Sequence, residues 1–414
     1  MVEFTLTKRQ LALRDKARKF AIEEMIPVAE IGDREPDPAK SFNWELIRKA
    51  DKLGLRTLSV PKEYGGGGAD VLTLSMVGEN LAYGDLGIAV AFDQTWKIMT
   101  MISHLTTARQ RKKWLPRVID DPECLLAAAA TEPLSGSDSI MPYNKPDGGV
   151  RMTAKKKGDK WILNGEKRYI SNGGLAKVIY VMARTDMRKP PLKSMTGFLL
   201  TSDTPGYSVT EIWDKLGQRN VANGTMIFDN VEIPQADVMG TPNGALGELG
   251  ALLTRFGSNI QAGATVLGVA QRAYDVTLQY AKQRVQGGKP IFEHQIQAQR
   301  LARMRMLIES ARYYLWYSGW TAGQGEPDAV AASLCKVNAA ENSVKVLMEA
   351  FELWAATGYM KKNPIEKLLR DGLSFVHSDG TNDVLLLKAS NLLGEIKRGD
   401  PRYSKRVELA AKGR

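Results

Sequence analysis

The chain has 414 residues, more than the roughly 250 to 300 at which one hydrophobic core stops growing, so two or three packed units are expected. Its 43% hydrophobic and 25% charged content is that of an ordinary globular protein, and no window approaches the ~20 apolar residues of a membrane span. It reads as neither disordered nor integral to a membrane.

Lys and Arg number 57 against 46 Asp and Glu, a net charge of +11 that suits nucleic acid, an anionic surface or a polyanionic small ligand. The charges are spread along the chain, with local clusters at Lys155-Lys156-Lys157, Arg188-Lys189 and the tail from Lys397 to Arg406. No aromatic-interleaved basic motif accompanies them, so they read as solvated surface plus sites for anionic ligands. Glu3, Asp15 and Glu23-Glu24 argue against a transit peptide and no secretory core follows, which points to a cytoplasmic protein. Cys124 and Cys335 show no metal spacing and there are three histidines, so neither a disulfide framework nor a metal site is expected.

In chain order, residues 4–125 carry helical periodicity: Leu11, Leu13, Ala17, Phe20 and Ala21, then Leu46, Ile47, Ala50 and Leu53. Gly65 to Gly68 punctuate a loop that lacks the strand-GxGxxG-helix setting of a dinucleotide fold. Helices follow from about Leu72 to Leu81 and from Ile98 to Ile102, the latter preceding the basic run 109–113. Residues 126–245 change to short β-type runs, GVRMTAKKK, KWILNGEKRYIS, AKVIYVMART, TGFLLTS, GYSVTEI and TMIFDNVEIP, with Asn164-Gly165 as a hairpin signal. Such spacing suggests a small barrel or sandwich. From 246 onward long helices return: Val266, Val269, Ala270, Ala273, Val276 and Tyr280 share a face, Leu301, Met304, Ile308, Ala311 and Leu315 repeat at helical spacing, and 329–351 is another run. The expected division is 1–125 helical, 126–245 β and 246–414 a helical bundle.

Two polar turns carry chemistry. AAAATEPLSGSDS, 127–139, offers clustered backbone N–H groups and hydroxyls through Ser135, Gly136, Ser137 and Asp138, as a polar ring edge or phosphate requires; alone it reads as a β-turn. With KRYISNGG at 167–174, LGQR at 216–219, Glu293-His294-Gln295 and NPIEKLLRD at 363–371, the ensemble closely resembles the acyl-CoA dehydrogenase family of FAD flavoproteins over residues 5–397. The resemblance implies an α+β multidomain fold, with an N-terminal helical domain, a middle β domain and a C-terminal four-helix bundle. It also implies FAD, a homotetramer built as a dimer of dimers, an acyl-CoA substrate and electron-transfer flavoprotein as acceptor.

Residue by residue, the resemblance puts Ala128, Ala130, Thr131 and Ser137 at the isoalloxazine, with Ser137 also at the acyl-CoA. Tyr169 and Ser171 stand for the family's Trp and Thr of WITNGG, keeping a stacking ring and a hydroxyl. Arg284, Gln286 and Gln295 match residues that reach the FAD of the neighbouring subunit, and Thr381 and Asp383 match positions on the adenine dinucleotide. Glu352 and Ala356 replace the family's Gln and Gly at a GG turn.

The family's catalytic turn, YEGT, is Ser378-Asp379-Gly380-Thr381 here, so Asp379 is the candidate base for the α-proton of the thioester, with Gly380 against the substrate. A helix-capping role ahead of VLLLKA is its bland alternative. The other base position of the family falls near Ser258, which carries no carboxylate. Asp93, in GIAVAFDQTWKIM, borders the acyl pocket by alignment. It reads either as a second base, as for oxidation of a cyclohexane- or cyclohexene-carboxyl-CoA, or as a surface or capping residue. Arg219 of LGQR reads as a loop organiser, Asn259 replaces a family Arg, and Lys189 and Lys193 are candidates for the CoA 3′-phosphate. Two alternatives stand beside the dehydrogenase: a nitroalkane-oxidase-like flavoprotein, whose Arg falls on Leu386 here, and a non-catalytic nucleic-acid-binding member.

Overall fold

A computed structural model describes residues 5–137 and 145–395. Asp138 and the basic tail from Lys397 lie outside the described residues.

The first helical part comprises α1 (Lys8–Phe20), α2 (Ile26–Arg34), α3 (Trp44–Lys52), α4 (Val71–Gly84), α5 (Leu86–Leu105) and α6 (Ala108–Ile119). Local chemistry sets their starts. Thr7 with Gln10 and Thr107 with Gln110 form capping boxes, while Asp70 and Asp85 cap α4 and α5. The segment expected as a helix at Ile98–Ile102 is the second half of α5, which is buried along most of its length and therefore shows little periodicity before Trp96.

The middle part is one eight-stranded sheet of β1 (Leu126–Ala129), β2 (Thr153–Lys157), β3 (Lys160–Ser171), β4 (Val178–Arg184), β5 (Met195–Thr201), β6 (Tyr207–Ile212), β7 (Asn223–Pro234) and β8 (Val238–Met239). Its order is β6-β7-β3-β2-β4-β5-β8, with β1 added parallel to β4. Asn164-Gly165 is not a hairpin turn. It lies inside β3, where the register against β7 shifts between Leu163 and Gly165; Gly165 has φ +146, and a Cβ there would meet Met152 at 2.8 Å. The glycine is needed for a bulge and a close approach, while β2 and β3 turn at Gly158, φ +63.

The last part contains α7 (Ala245–Arg255), α8 (Ser258–Gln283), the ribbon β9 (Val285–Gln286) and β10 (Lys289–Pro290), then α9 (Gln295–Gly323), α10 (Ala329–Gly358), α11 (Pro364–Leu373) and α12 (Asn382–Glu395). The expected faces are met: Val266, Val269, Ala270 and Ala273 of α8 and Leu301, Met304, Ile308, Ala311 and Leu315 of α9 are all buried. α10 is broken at Ala355, whose φ of +49 and ψ of −139 fall outside helical space.

The three parts meet around Lys367 of α11, 6% exposed. Its ammonium bonds Asp85 at the start of α5 at 2.7 Å and Asp371 at 2.6 Å, and Asp371 Oδ1 accepts from the backbone N–H of Gln218 in LGQR at 2.7 Å. Arg219 donates to the carbonyls of Asp33 and Glu35 and so organises this loop, as its sequence reading implies. Removing the cation from such a buried group strands two carboxylates. Lys367→Met is expected to destabilise the protein by about 3–5 kcal/mol, read as a fall of several degrees in the thermal unfolding midpoint.

Candidate active site

Between α11 and α12 the chain makes one 3-10 turn, Ser374–Val376, and then reverses through Asp379, φ +53, and Gly380, φ +94. A left-handed Asp is uncommon and is held here by contacts from two helices. Lys336 of α10, 0% exposed, donates to the carbonyls of Phe375 at 2.7 Å and Gly380 at 2.9 Å and to Oδ1 of Asn382 at 2.9 Å. Burial lowers the Lys336 ammonium to about 8, against the pull of Asp379. From α8, Asn259 donates to the carbonyl of Asp379 at 3.0 Å. Capping of α12 falls to Thr381, whose hydroxyl accepts from Val384 N at 3.3 Å, so the capping alternative for Asp379 does not hold.

The Asp379 side chain faces α5. Its Oδ2 accepts from Lys97 Nζ at 3.0 Å, and the same ammonium donates to Oδ2 of Asp93, one helical turn earlier, at 2.5 Å. Asp93 is 1% and Lys97 7% exposed, so the surface reading of Asp93 is excluded. Burial pushes Asp93 up to about 6; the Lys97 ammonium opposes that rise and the charge of Asp379 adds to it. Burial by itself would lower Lys97, but the two carboxylates outweigh it and its pKa is raised. Oδ1 of Asp93 is buried with no hydrogen-bond partner among the described residues. A buried ion pair with an unsatisfied oxygen is expensive to maintain for packing alone, which singles the cluster out as the candidate site.

A second cluster lies next to this one. Arg168 N donates to the carbonyl of Thr131 at 2.9 Å, joining the turn after β1 to the end of β3, and Lys167, 0% exposed, fixes Glu132 at 2.8 Å and the carbonyl of Ala130 at 3.0 Å. Ala128, Ala130, Thr131, Tyr169 and Ser171 are thereby gathered on adjoining edges of β1 and β3. Tyr169, at φ +58 and 53% exposed, sets its ring against Trp213 at 4.9 Å between centroids, and Ser135 Oγ is buried without a partner among the described residues. An aromatic platform, small flanking side chains and one unspent hydroxyl fit a planar polar ring such as a flavin. Asn172, φ +62 and fully buried, couples the two clusters: its amide donates to Ala91 O in α5 at 3.1 Å and to Leu126 O in β1 at 2.8 Å.

The remaining expected residues are placed elsewhere. Arg284 and Gln286 follow the C-terminal end of α8 and Gln295 begins α9, with His294 Nε2 bonded to Gln286 O at 2.9 Å. Since Asn259 opens this 26-residue helix, they stand roughly 37 Å along it from the acid cluster. The protomer does not bring them to Asp379. Glu352 is exposed and paired with Arg300, Ala356 follows the break in α10, and Asp383 lies in the first turn of α12 with Thr381 before it. Ser137 follows the Ser135 turn and is half-buried. Sequence reading missed Lys97, Lys336 and Asn172, and saw Asn259 only as a lost Arg. The available signal was Asp93 and Lys97 at i,i+4 in an otherwise apolar helix.

Comparison with known proteins agrees along the chain. Family models match in order: acyl-CoA dehydrogenase N-terminal domain over 7–121, middle domain over 127–231 and C-terminal domain over 257–391. An acyl-CoA dehydrogenase of Bacillus subtilis is 32% identical over 94% of this chain and 98% of its own length. A 3-(aryl)acrylate reductase of Clostridium sporogenes is 33% identical over 94% and 99%. The butyryl-CoA dehydrogenase structure from Megasphaera elsdenii superposes with a TM-score of 0.87 at 30% identity, covering 95% and 100%.

Lys336 is expected to act through the turn it clamps. Lys336→Met should leave three buried acceptors unbonded and slow substrate-dependent reduction of the bound cofactor by about 10- to 100-fold with the fold retained, as measured by stopped-flow absorbance and circular dichroism.

Proposed function

The chain belongs to the acyl-CoA dehydrogenase family, an FAD-dependent oxidoreductase acting on acyl-CoA, and on that premise we propose that Asp379 is its base and that its acyl group is bulky or cyclic. The observation that carries this is the Asp379 carboxylate, fixed at a left-handed turn by contacts from α5, α8 and α10 and coupled through Asn172 to the Tyr169–Ser171 edge. Ala128, Ala130, Thr131, Ser137, Tyr169 and Ser171 hold the flavin ring in this reading, with Thr381 and Asp383 toward the dinucleotide. Arg284, Gln286 and Gln295 serve a neighbouring subunit's cofactor, which their distance along α8 supports, so a homotetramer built as a dimer of dimers is part of the proposal. Bound FAD supplies the acceptor for a hydride.

The chain's own residues handle the proton. The α C–H of a thioester is a weak acid, and a carboxylate in place, shielded from water by the acyl group, removes its proton as the β-hydrogen departs with its electron pair and the α,β double bond forms. The α-proton ends on the carboxyl of Asp379. Asp is shorter than Glu by one C–C bond, about 1.5 Å, and a misplacement of about 1 Å can cost about 100-fold. An acyl group that brings its α-carbon closer uses the freed volume, as a ring does.

Asp93 is the second acid of this reading. Buried, with one oxygen on Lys97 and one unbonded, it is suited to take a proton from a ring carbon conjugated to the thioester, giving a 1,4-oxidation to a dienoyl-CoA. Electron-transfer flavoprotein is the proposed acceptor. The Clostridium sporogenes relative, named a reductase, favours a second reading: the same turn delivering a proton to the α-carbon of an enoyl thioester.

Anaerobic addition of straight, branched and cyclic acyl-CoAs should bleach the flavin fastest with a cyclic thioester, and a panel that leaves it yellow would remove the dehydrogenase reading. Asp379→Asn is expected to keep bound FAD and thioester binding while reduction falls by at least about 1,000-fold; retained turnover would move the base elsewhere. Asp93→Asn is expected to abolish reduction by cyclic unsaturated thioesters and spare saturated ones by comparison. Equal loss on both would return Asp93 to a supporting role.

A further inference from the structure

Lys97 transfers no proton in the proposed reaction, yet its ammonium is the centre of the acid cluster. It is placed at i,i+4 from Asp93 on α5, and its bonds among the described residues are to two carboxylates, those of Asp93 and Asp379. The two acids lie 286 residues apart in sequence, so the bond from Lys97 to Asp379 is a tertiary choice rather than a consequence of helix geometry. The side chains of Asp93 and Lys97 are 1% and 6% exposed and that of Asp379 is 22% exposed, so solvent reaches the group through the Asp379 end. A surface ion pair adds little to stability and a buried one often less than an apolar pair of the same volume. An ammonium buried between two carboxylates, one of them at the family's catalytic turn, has a task that packing does not require.

We propose that Lys97 is a positioning residue for the reaction: anchored by Asp93, its ammonium aims the carboxylate of Asp379 and stays beside it as the counter-charge when an acyl group drives water from the pocket. This inference rests on the assignment of Asp379 as the base. The charge arithmetic supports it. With Asp379 ionised the three groups sum to −1; once Asp379 has taken the α-proton, Lys97 and Asp93 remain as a neutral pair that needs no other counter-ion. A lone carboxylate in the same dry site would pick up a proton before substrate could supply one. Lys97 also fixes the side-chain direction of a short Asp, whose reach leaves little tolerance. The charged or titratable groups around Asp379 are Asp93 and Lys97 from α5, Lys336 from α10 and His377 of its own turn. The Lys336 ammonium is occupied by carbonyls and by Asn382, and burial and the Lys336 charge both lower the His377 imidazole and so disfavour its charged form. Lys97 is therefore the cation that bonds the carboxylate itself.

The test is the pH dependence of flavin reduction by an acyl-CoA, measured under anaerobic single turnover on the FAD-loaded protein and its variants. Lys97→Met is expected to keep FAD and to bind the thioester within about threefold, while the acid limb of the rate profile moves up by about one to three pH units, because an opposite charge near a carboxylate is worth shifts of that size. Below the limb, reduction falls about tenfold or more. At high pH much of the loss is recovered, which a variant that had merely lost packing would not do. Lys97→Arg should return the limb toward its original position. If Lys97→Met leaves an orphaned Asp93 and fails to fold, Asp93→Asn with Lys97→Met removes both charges and is read in the same way with a saturated acyl-CoA, from which Asp93 takes no proton. A folded variant of either kind with an unmoved acid limb, or with equal loss at every pH, overturns the inference. Asp379→Asn separates this from the premise: activity in that variant sinks the base assignment, whereas an inactive Asp379→Asn beside an unaltered Lys97→Met profile sinks the role of Lys97 alone.

Discussion

A single ammonium shared by two carboxylates is the constraint on which the acid cluster depends. A carboxylate works as a base toward a thioester in a place without water, and such a place favours the protonated, useless form. Lys97 resolves that conflict with a fixed cation where a solvent shell would otherwise be needed, and Asp93 in turn holds the cation. The geometry then dictates the rest: α5 must lie against the turn after α11, β1 must pack beside α5, and the edge carrying Tyr169 and Ser171 must face the same gap. Asn172, donating to both α5 and β1, enforces the last two of these.

The same device recurs across the protein. Lys97, Lys167, Lys336 and Lys367 are each almost fully buried, and each spends its ammonium on at least one carboxylate or carbonyl that lies far away in sequence. Lysine suits this use because its long apolar stem packs in a core while three donors at the tip collect acceptors from several directions. Such joints are poor sources of net stability but strong enforcers of position, since a displaced partner leaves a bare charge behind. These four cations meet five carboxylates, those of Asp93, Asp379, Glu132, Asp85 and Asp371, so the joints organise the interior without supplying the positive excess of the composition.

How much of this could be read beforehand follows from the type of information each feature carries. Helices such as α9 were legible because Leu301, Met304, Ile308, Ala311 and Leu315 repeat on one buried stripe. The first half of α5 was not, since burial on nearly all sides erases the period that marks a helix. Asn164-Gly165 misled because the dipeptide reports a backbone that can turn, and a bulge uses the same freedom within a strand. The position of Asp379 came from the resemblance of its turn to a known one, while the apolar neighbours of Asp93 left a buried acid and a surface or capping residue equally open. The partnership with Lys97 was not legible, because an i,i+4 Asp-Lys pair usually describes a solvated face and nothing local says that a third group arrives from beyond α11. Lys336 is opaque for the same reason: its acceptors are main-chain carbonyls, which every sequence has.

One further result follows from the separation of the residues that Lys97 unites. Its partner lies 282 residues further along the polypeptide, so the site cannot be completed before the turn after α11 has been synthesised and docked. Assembly of the reactive carboxylate is thereby made a late event in folding, with the loop between these contacts closed across most of the molecule. A nascent or partly opened species would carry the aromatic edge on β3 without a competent acid beside it, which ties the onset of chemistry to completion of the native topology.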